Sequence, residues 1–201
     1  MKPVSTITSP GVPLLRDNID TDTIIPSREM KTTGRTGLAE GLFAPWRYTD
    51  AAARVRDPGF VLNQRDAIGT RLLLAGQNFG CGSSREHAVW ALAEFGIEAI
   101  IAPSFAPIFK GNCIRNGLLP VELPQAVVRG LAWQMVRIDL ASQTVSAGDE
   151  SWHFDIGPEA KAMLLEGLDA IDLTLKMKSA IARWLGADRR KRPWVYRENS
   201  K

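Results

Sequence analysis

The chain has 201 residues, 45% apolar and 23% charged, a net charge of +3 and two cysteines. That is enough apolar sequence for a core without disulfide or metal staples, and too little cysteine for a secreted disulfide framework or a zinc pattern. The basic excess lies in residues 187–201, where six basic side chains face two acidic ones, so the body is close to neutral and a broad nucleic-acid-binding face is not expected.

Residues 1–35 read as extended and loop-like, because Pro3, Pro10, Pro13 and Pro26 exclude a long helix. The start lacks the apolar run of a signal peptide, and no stretch approaches the roughly eighteen apolar residues of a membrane span. A cytoplasmic chain with reduced thiols is therefore the expectation. "NIDTDTIIP" is expected to pass from a polar turn into a short apolar strand, and 38–43 to form a helical turn.

The middle is the clearest part. "TRLLLAG" (70–76), "IEAIIAPS" and "LLPVEL" are short continuous apolar runs, the pattern of buried strands. Between them, "SREHAVWALAEFG" carries Ala88, Leu92 and Phe95 at helical spacing with Gly96 as a C-terminal stop, and "FAPIFKGNCIRNG" predicts a short second helix. Strands alternating with helices over short connections imply a parallel βαβ core with right-handed crossovers. Beyond Pro124 follow a helix, a hairpin around "SAGD", and two helices, with Pro158 in a first turn and Gly167 as the break between them. The fold class is α/β with added C-terminal helices. One domain is expected over 1–201, its core at about 11–175 and its basic tail at 187–201.

"NFGCGSSREHA" (78–88) follows a strand and opens a helix. In an α/β fold, ligands bind there, in front of helix N-termini whose free N–H groups and dipole favour anions. Gly80 and Gly82 let the backbone approach a ligand, Ser83 or Ser84 can cap the helix, and Arg85 adds a guanidinium suited to a carboxylate. Neither a Walker loop, a dinucleotide fingerprint nor a nucleophile elbow is present. The residues themselves point to a small carboxylate or phosphate ligand.

"NFGCGSSREHAVWAL" resembles the signature of the small, or swivel, subunits of the aconitase superfamily, above all those of 3-isopropylmalate dehydratases. "NIDTDTIIP", "RTGLAEGLF", "FVLN", "IAPSFAPIFKGNCIRNGLLPVEL" and "LEGLDAIDLTL" agree in order, so the resemblance spans roughly 11–175. It implies a swivelling three-layer β/β/α domain. It also implies a hydro-lyase reaction in leucine biosynthesis that interconverts 2- and 3-isopropylmalate through an unsaturated intermediate. The family's [4Fe–4S] cluster sits on a separate large subunit, and two cysteines are too few to hold one here. The expected partners are that large subunit and a small hydroxy-diacid, with no cofactor bound by this chain, no nucleic acid and no membrane.

The resemblance carries Ser83 over as the base and Asp22 as a second catalytic residue. Arg85, Ser84 and Arg35 carry over as substrate contacts, with Gly80 and Gly82 forming the oxyanion turn. Arg28 competes with Arg35 for its role, and a solvated loop arginine is the plainer reading of either. "PSREM" departs from the leucine-pathway form, in which an aromatic or long apolar residue often follows the proline region. The alternatives are a hydro-lyase for another alkyl- or methyl-substituted malate, and a non-catalytic carboxylate- or RNA-binding relative.

Overall fold

A computed structural model describes residues 1–30 and 34–196. Residues 31–33 lie outside the described residues, as do Arg197, Glu198 and Lys201 of the basic tail. The chain opens with β1 (Thr6–Leu14), α1 (Thr21–Ile24), α2 (Ala44–Arg47) and a small hairpin of β2 (Tyr48–Asp50) and β3 (Val55–Arg56). Next come β4 (Leu72–Ala75), α3 (Glu86–Phe95), β5 (Ala99–Ala102), α4 (Pro107–Arg115) and β6 (Leu119–Glu122). The remainder is α5 (Gln125–Gly130), β7 (Met135–Asp139), β8 (Thr144–Ala147), β9 (Glu150–His153), α6 (Pro158–Glu166), α7 (Ala170–Leu175) and α8 (Lys178–Lys191).

One sheet in the order β6-β5-β4-β1-β7-β8-β9 organises these elements. Its first four strands are parallel and the rest antiparallel. Alternation along the buried strands feeds two cores. Leu73, Ile100 and Val12 face α1, α3 and α4, whereas Leu72, Leu74, Ile101 and Val121 share the opposite core with Val136, Ile138 and Val145 of the curled antiparallel part. This gives helix, sheet and sheet layers, the β/β/α arrangement the resemblance implied. Each large apolar side chain so buried contributes about 1.5–3 kcal/mol.

At the N-terminus one expectation is made specific and one is corrected. Residues 6–14 form a central strand despite Pro10 and Pro13. β1 bonds β7 through Thr6–Pro10 and then β4 through Gly11–Leu14, so it changes partner midway. Pro13 falls beyond the last bonds to that side, where Gly11 donates to Gln134 and accepts from Trp133, so its missing N–H costs no ladder bond. The "DTDTI" segment is a one-turn helix rather than a strand, because the Asp20 carboxylate accepts the Thr23 N–H at 2.6 Å and caps it.

Other stops and starts fall where sequence chemistry puts them. Gly96 and Gly167 end α3 and α6 with left-handed backbone. Asp169 and Asp172 form a reciprocal capping box at α7. Glu29 is buried against Gly41, and its carboxylate pairs with Arg54 at 2.6 Å. This partly buried ion pair ties residues 27–29 to the β2–β3 hairpin.

The C-terminal helices are covered least. No residue of α7 is buried, Ile171, Leu175, Met177, Ile181 and Trp184 are exposed, and the one buried residue of α8, Asp188, is engaged locally by Arg192 and Tyr196. Removal of residues 178–201 should therefore shift the melting temperature by no more than roughly 2–4 °C, the scale of a 1 kcal/mol change in a domain of this size. A thermal scan showing a drop of about ten degrees would mean that α8 packs on the domain.

Candidate active site

The C-terminal ends of β1, β4 and β5 meet at one place, and the segments leaving them are laced together. Asn18 donates its N–H to Gln77, Gly80 to Ile19 and Thr21 to Cys81, all within 2.9 Å. On the other side Phe79 donates to Ser104 and Ala106 to Phe79. The Phe79 ring meets Phe105 and Phe109 edge-on, with centroids 6.3 and 5.4 Å away.

Gly80 is the tightest point of this junction. Its φ is +77°, and a Cβ there would lie 2.1 Å from the Phe109 ring. Gly82 has φ +85°, but a Cβ would find only ordinary contacts, the nearest Asp20 at 3.4 Å. Gly80 is needed for space and conformation, Gly82 for conformation alone.

A cavity of about 220 Å³ opens in front of this turn, lined by Thr21, by residues 80–85 and by residues 106–109 and Asn112. Ser83, Ser84 and Gly82 are exposed at its mouth, and Arg85 is half-buried. Thr21 Oγ1 donates to the Ser83 carbonyl at 2.8 Å, fixing the backbone of the turn at Ser83. Arg85 Nη1 donates to Asp22 Oδ1 and, at 3.2 Å, to Ser27 Oγ. Among the described residues, Arg85 Nε and Nη2 have no acceptor, so one edge of the guanidinium fork stays open for a carboxylate while Asp22 holds the other.

The serines do not cap α3. Its N-cap residue is Arg85, and no side chain accepts the N–H groups of the first turn. The Ala88 N–H already bonds the Arg85 carbonyl, so among the described residues the Glu86 and His87 N–H groups, with the positive end of the helix dipole, are what this end offers an anion.

Ser83, Ser84, Arg85, Gly80 and Gly82 thus line one cavity, and Asp22 joins them through its bond to Arg85. Arg35 is not with them. It lies over the Trp90 ring at 5.2 Å and lines a second cavity with Glu86, Arg115 and Asn116. Its loop is pinned there by Glu94, whose carboxylate accepts the N–H groups of Gly37, Leu38 and Ala39 at 2.6, 2.6 and 2.9 Å. Arg28 is exposed beside Glu29 and borders a third cavity. His87 packs on Trp90, and His153 is exposed on β9 beside Asp155.

Asn112, Ile108 and Phe109 line the cavity without having been expected from the sequence. Asn112 is buried, and Arg115 donates to its Oδ1. This orients the amide so that Nδ2 is the free end, and among the described residues Nδ2 has no acceptor. An asparagine sharing the buried face of α4 with Phe109 and Cys113 is the signal that could have marked it.

Two cysteines do not make a cluster site. Cys81 lines the cavity, whereas Cys113 is fully buried and burial pushes its thiol well above the ordinary range, so it stays a thiol. Among the described residues, no three His, Cys, Asp or Glu side chains could together hold a metal ion. No helix of the described residues is long and apolar enough to cross a membrane.

Residues 1–126 match the aconitase C-terminal domain family. A Cupriavidus necator protein named 3-isopropylmalate dehydratase small subunit is 56% identical over 98% of this chain and 99% of its own length. The chain belongs to the 3-isopropylmalate dehydratase small-subunit family. A Chloroflexus aurantiacus member is 48% identical over 90% of the chain and 93% of its own length. The solved 3-isopropylmalate dehydratase structure from Methanocaldococcus jannaschii is 28% identical, with a TM-score of 0.65 over 89% of this chain and 98% of that one. The family is an aconitase-type hydro-lyase family.

Two measurements check this geometry. Gly80→Ala should destabilise the fold by on the order of 3 kcal/mol, from left-handed strain plus overpacking, and Gly82→Ala by about 1–2 kcal/mol. Equal midpoint shifts in urea for the two variants would contradict the Phe109 contact. For Glu94, burial raises the carboxyl pKa, but the three backbone bonds outweigh it and hold the group below its ordinary 4.5. A depressed carboxylate contributes its bonds above the unfolded value and loses them as pH falls through the folded one. The amide resonances of Gly37, Leu38 and Ala39 should therefore titrate together with a midpoint below 4.5, and independent titrations would refute the shared anchor.

Proposed function

We propose that this chain is the substrate-closing subunit of a hydro-lyase that interconverts 2-isopropylmalate and 3-isopropylmalate in leucine biosynthesis. The observation that carries the reading is that Ser83 and Arg85 line one cavity, with Asp22 bonded to Arg85, in a family of dehydratase small subunits. The residues present do not fit a [4Fe–4S] cluster, so the Lewis acid of the reaction is assigned to a separate large subunit. The working enzyme is then a complex of the two chains in the cytoplasm, with a small hydroxy-diacid as substrate and no role for nucleic acid.

The open edge of the Arg85 fork takes one substrate carboxylate, with the Ser84 hydroxyl and the Asn112 amide in reach of the same cavity. Binding there brings the carbon next to that carboxylate toward the Ser83 hydroxyl. Ser83, as alkoxide, takes a proton from this carbon, and the C–O bond on the neighbouring carbon breaks as its hydroxyl receives a proton from a general acid of the large subunit and departs as water, leaving an unsaturated diacid. Water adds back with the opposite placement to give the isomer.

A serine is a poor base in water. The N–H donors of the turn and of the first turn of α3, with the Arg85 charge, stabilise the developing alkoxide, which is the work of a preorganised oxyanion site. Asp22 holds Nη1 of Arg85 and keeps the guanidinium from turning away. Arg35, on the neighbouring loop across Trp90, is assigned to the substrate's second carboxylate.

Reconstitution of the chain with its cognate large subunit under anaerobic conditions tests this. Ser83→Ala should lower kcat by about 10²–10⁴-fold, the usual worth of a general base, while Arg85→Lys should mainly raise KM through loss of the fork. The chain alone should not turn over substrate. Near-normal turnover by Ser83→Ala, or activity of the isolated chain, would overturn the proposal.

A further inference from the structure

The cavity in front of Gly80 has two unlike sides. Thr21, Ser83, Ser84 and Arg85 make one polar, while residues 106–109 make the other apolar. On the apolar side Phe109 is buried and held against Gly80, but Ile108 is 58% exposed while still lining the cavity. Pro107 in the first turn of α4 and the wedged Phe109 bracket Ile108, so its backbone is fixed by rigid neighbours.

An exposed branched side chain, rigidly presented beside a carboxylate-binding turn, is covered by a ligand that carries an apolar branch on an acid. An unsubstituted hydroxy-diacid would satisfy the polar side and leave Ile108 wet. The Arg35 loop, the expected reader of the variable group, is anchored by Glu94 and Trp90 along α3 and borders a different cavity. Ile108 is thus a large apolar side chain that shares a cavity with both Ser83 and Arg85.

We infer that Ile108 forms the wall against which the substrate's branched alkyl group packs, and that it sets selectivity for alkyl size. This rests on the hydro-lyase reading above and adds to it a selectivity residue on α4, outside the Ser83–Arg85 turn and outside the Arg35 loop. The apolar wall touches the alkyl group in ground and transition states alike, so truncation lowers kcat/KM for the alkyl-bearing substrate in proportion to the apolar surface removed from the wall. Because Ile108 is exposed, the truncated chain keeps its core.

The test uses the reconstituted two-chain enzyme with wild type, Ile108→Ala and Ile108→Leu, assayed on 3-isopropylmalate and 3-methylmalate. Ile108→Ala should lower the ratio of kcat/KM for isopropyl over methyl substrate by about tenfold, the scale at which an apolar pocket reads methylene groups. Ile108→Leu should keep the ratio within about threefold, as a volume-conserving swap. An unchanged ratio in Ile108→Ala overturns the inference. So does a variant whose only defect is weaker association of the two chains, which would make Ile108 a subunit contact. Wild-type enzyme inactive on both substrates would instead sink the hydro-lyase reading itself, and the inference with it.

Discussion

A Cβ at Gly80 would overlap the Phe109 ring, and the remaining geometry depends on that close approach. The segment leaving β4 must pass against α4 to be zipped on one side to residues 18–21 and on the other to residues 104–106. No side chain fits at Gly80, so the chain turns there with left-handed backbone and emerges at Ser83 pointing along the start of α3. Three crossover segments from three parallel strands are locked into one rim. The rim is stiff because its bonds are backbone bonds over a buried cluster of three phenylalanines.

The electrostatics follow from that rim. Arg85 cannot act as a free cation, because Asp22 on α1 and Ser27 take one of its terminal nitrogens. This partial neutralisation lowers the non-specific pull on anions but leaves the fork's remaining edge for bidentate binding of an anion. The same helix that presents Arg85 carries Trp90 and Glu94 on later turns, and these hold the Arg35 loop. α3 is therefore a rod connecting two ligand-facing regions whose arginines lie far apart in the chain, and a shift of its first turn would be felt in the loop.

Much of this is legible in the sequence. β4, α3, β5, α4 and β6 follow from continuous apolar runs and helical spacing because both faces of a parallel sheet are covered. Gly80 and Gly82 stand out because two glycines flanking a cysteine before a polar helix start serve little else. β1 is hidden by Pro10 and Pro13, since a strand that changes partner midway tolerates prolines that a uniform ladder would reject. α1 is hidden because four residues carry no periodicity, and only the cap from Asp20 makes it a helix. Arg35's distance from the serine turn is a tertiary fact set by Glu94, and Ile108's exposure depends on where α4 sits. Neither has a local signature.

The exposure of the motif bears on how such a site can work. Ser83, Ser84 and Gly82 face solvent, where water competes for every N–H donor that would stabilise an alkoxide and screens the Arg85 charge. Donors aimed at a developing oxyanion are worth several kcal/mol only when water is excluded. The described residues supply a rigid, correctly charged rim but no lid over it, since the neighbouring Arg35 loop is bound along α3. Dry conditions at Ser83 therefore require a second surface pressed against this rim. That requirement follows from the proposed role of Ser83 as base, whose alkoxide would be costly in contact with water.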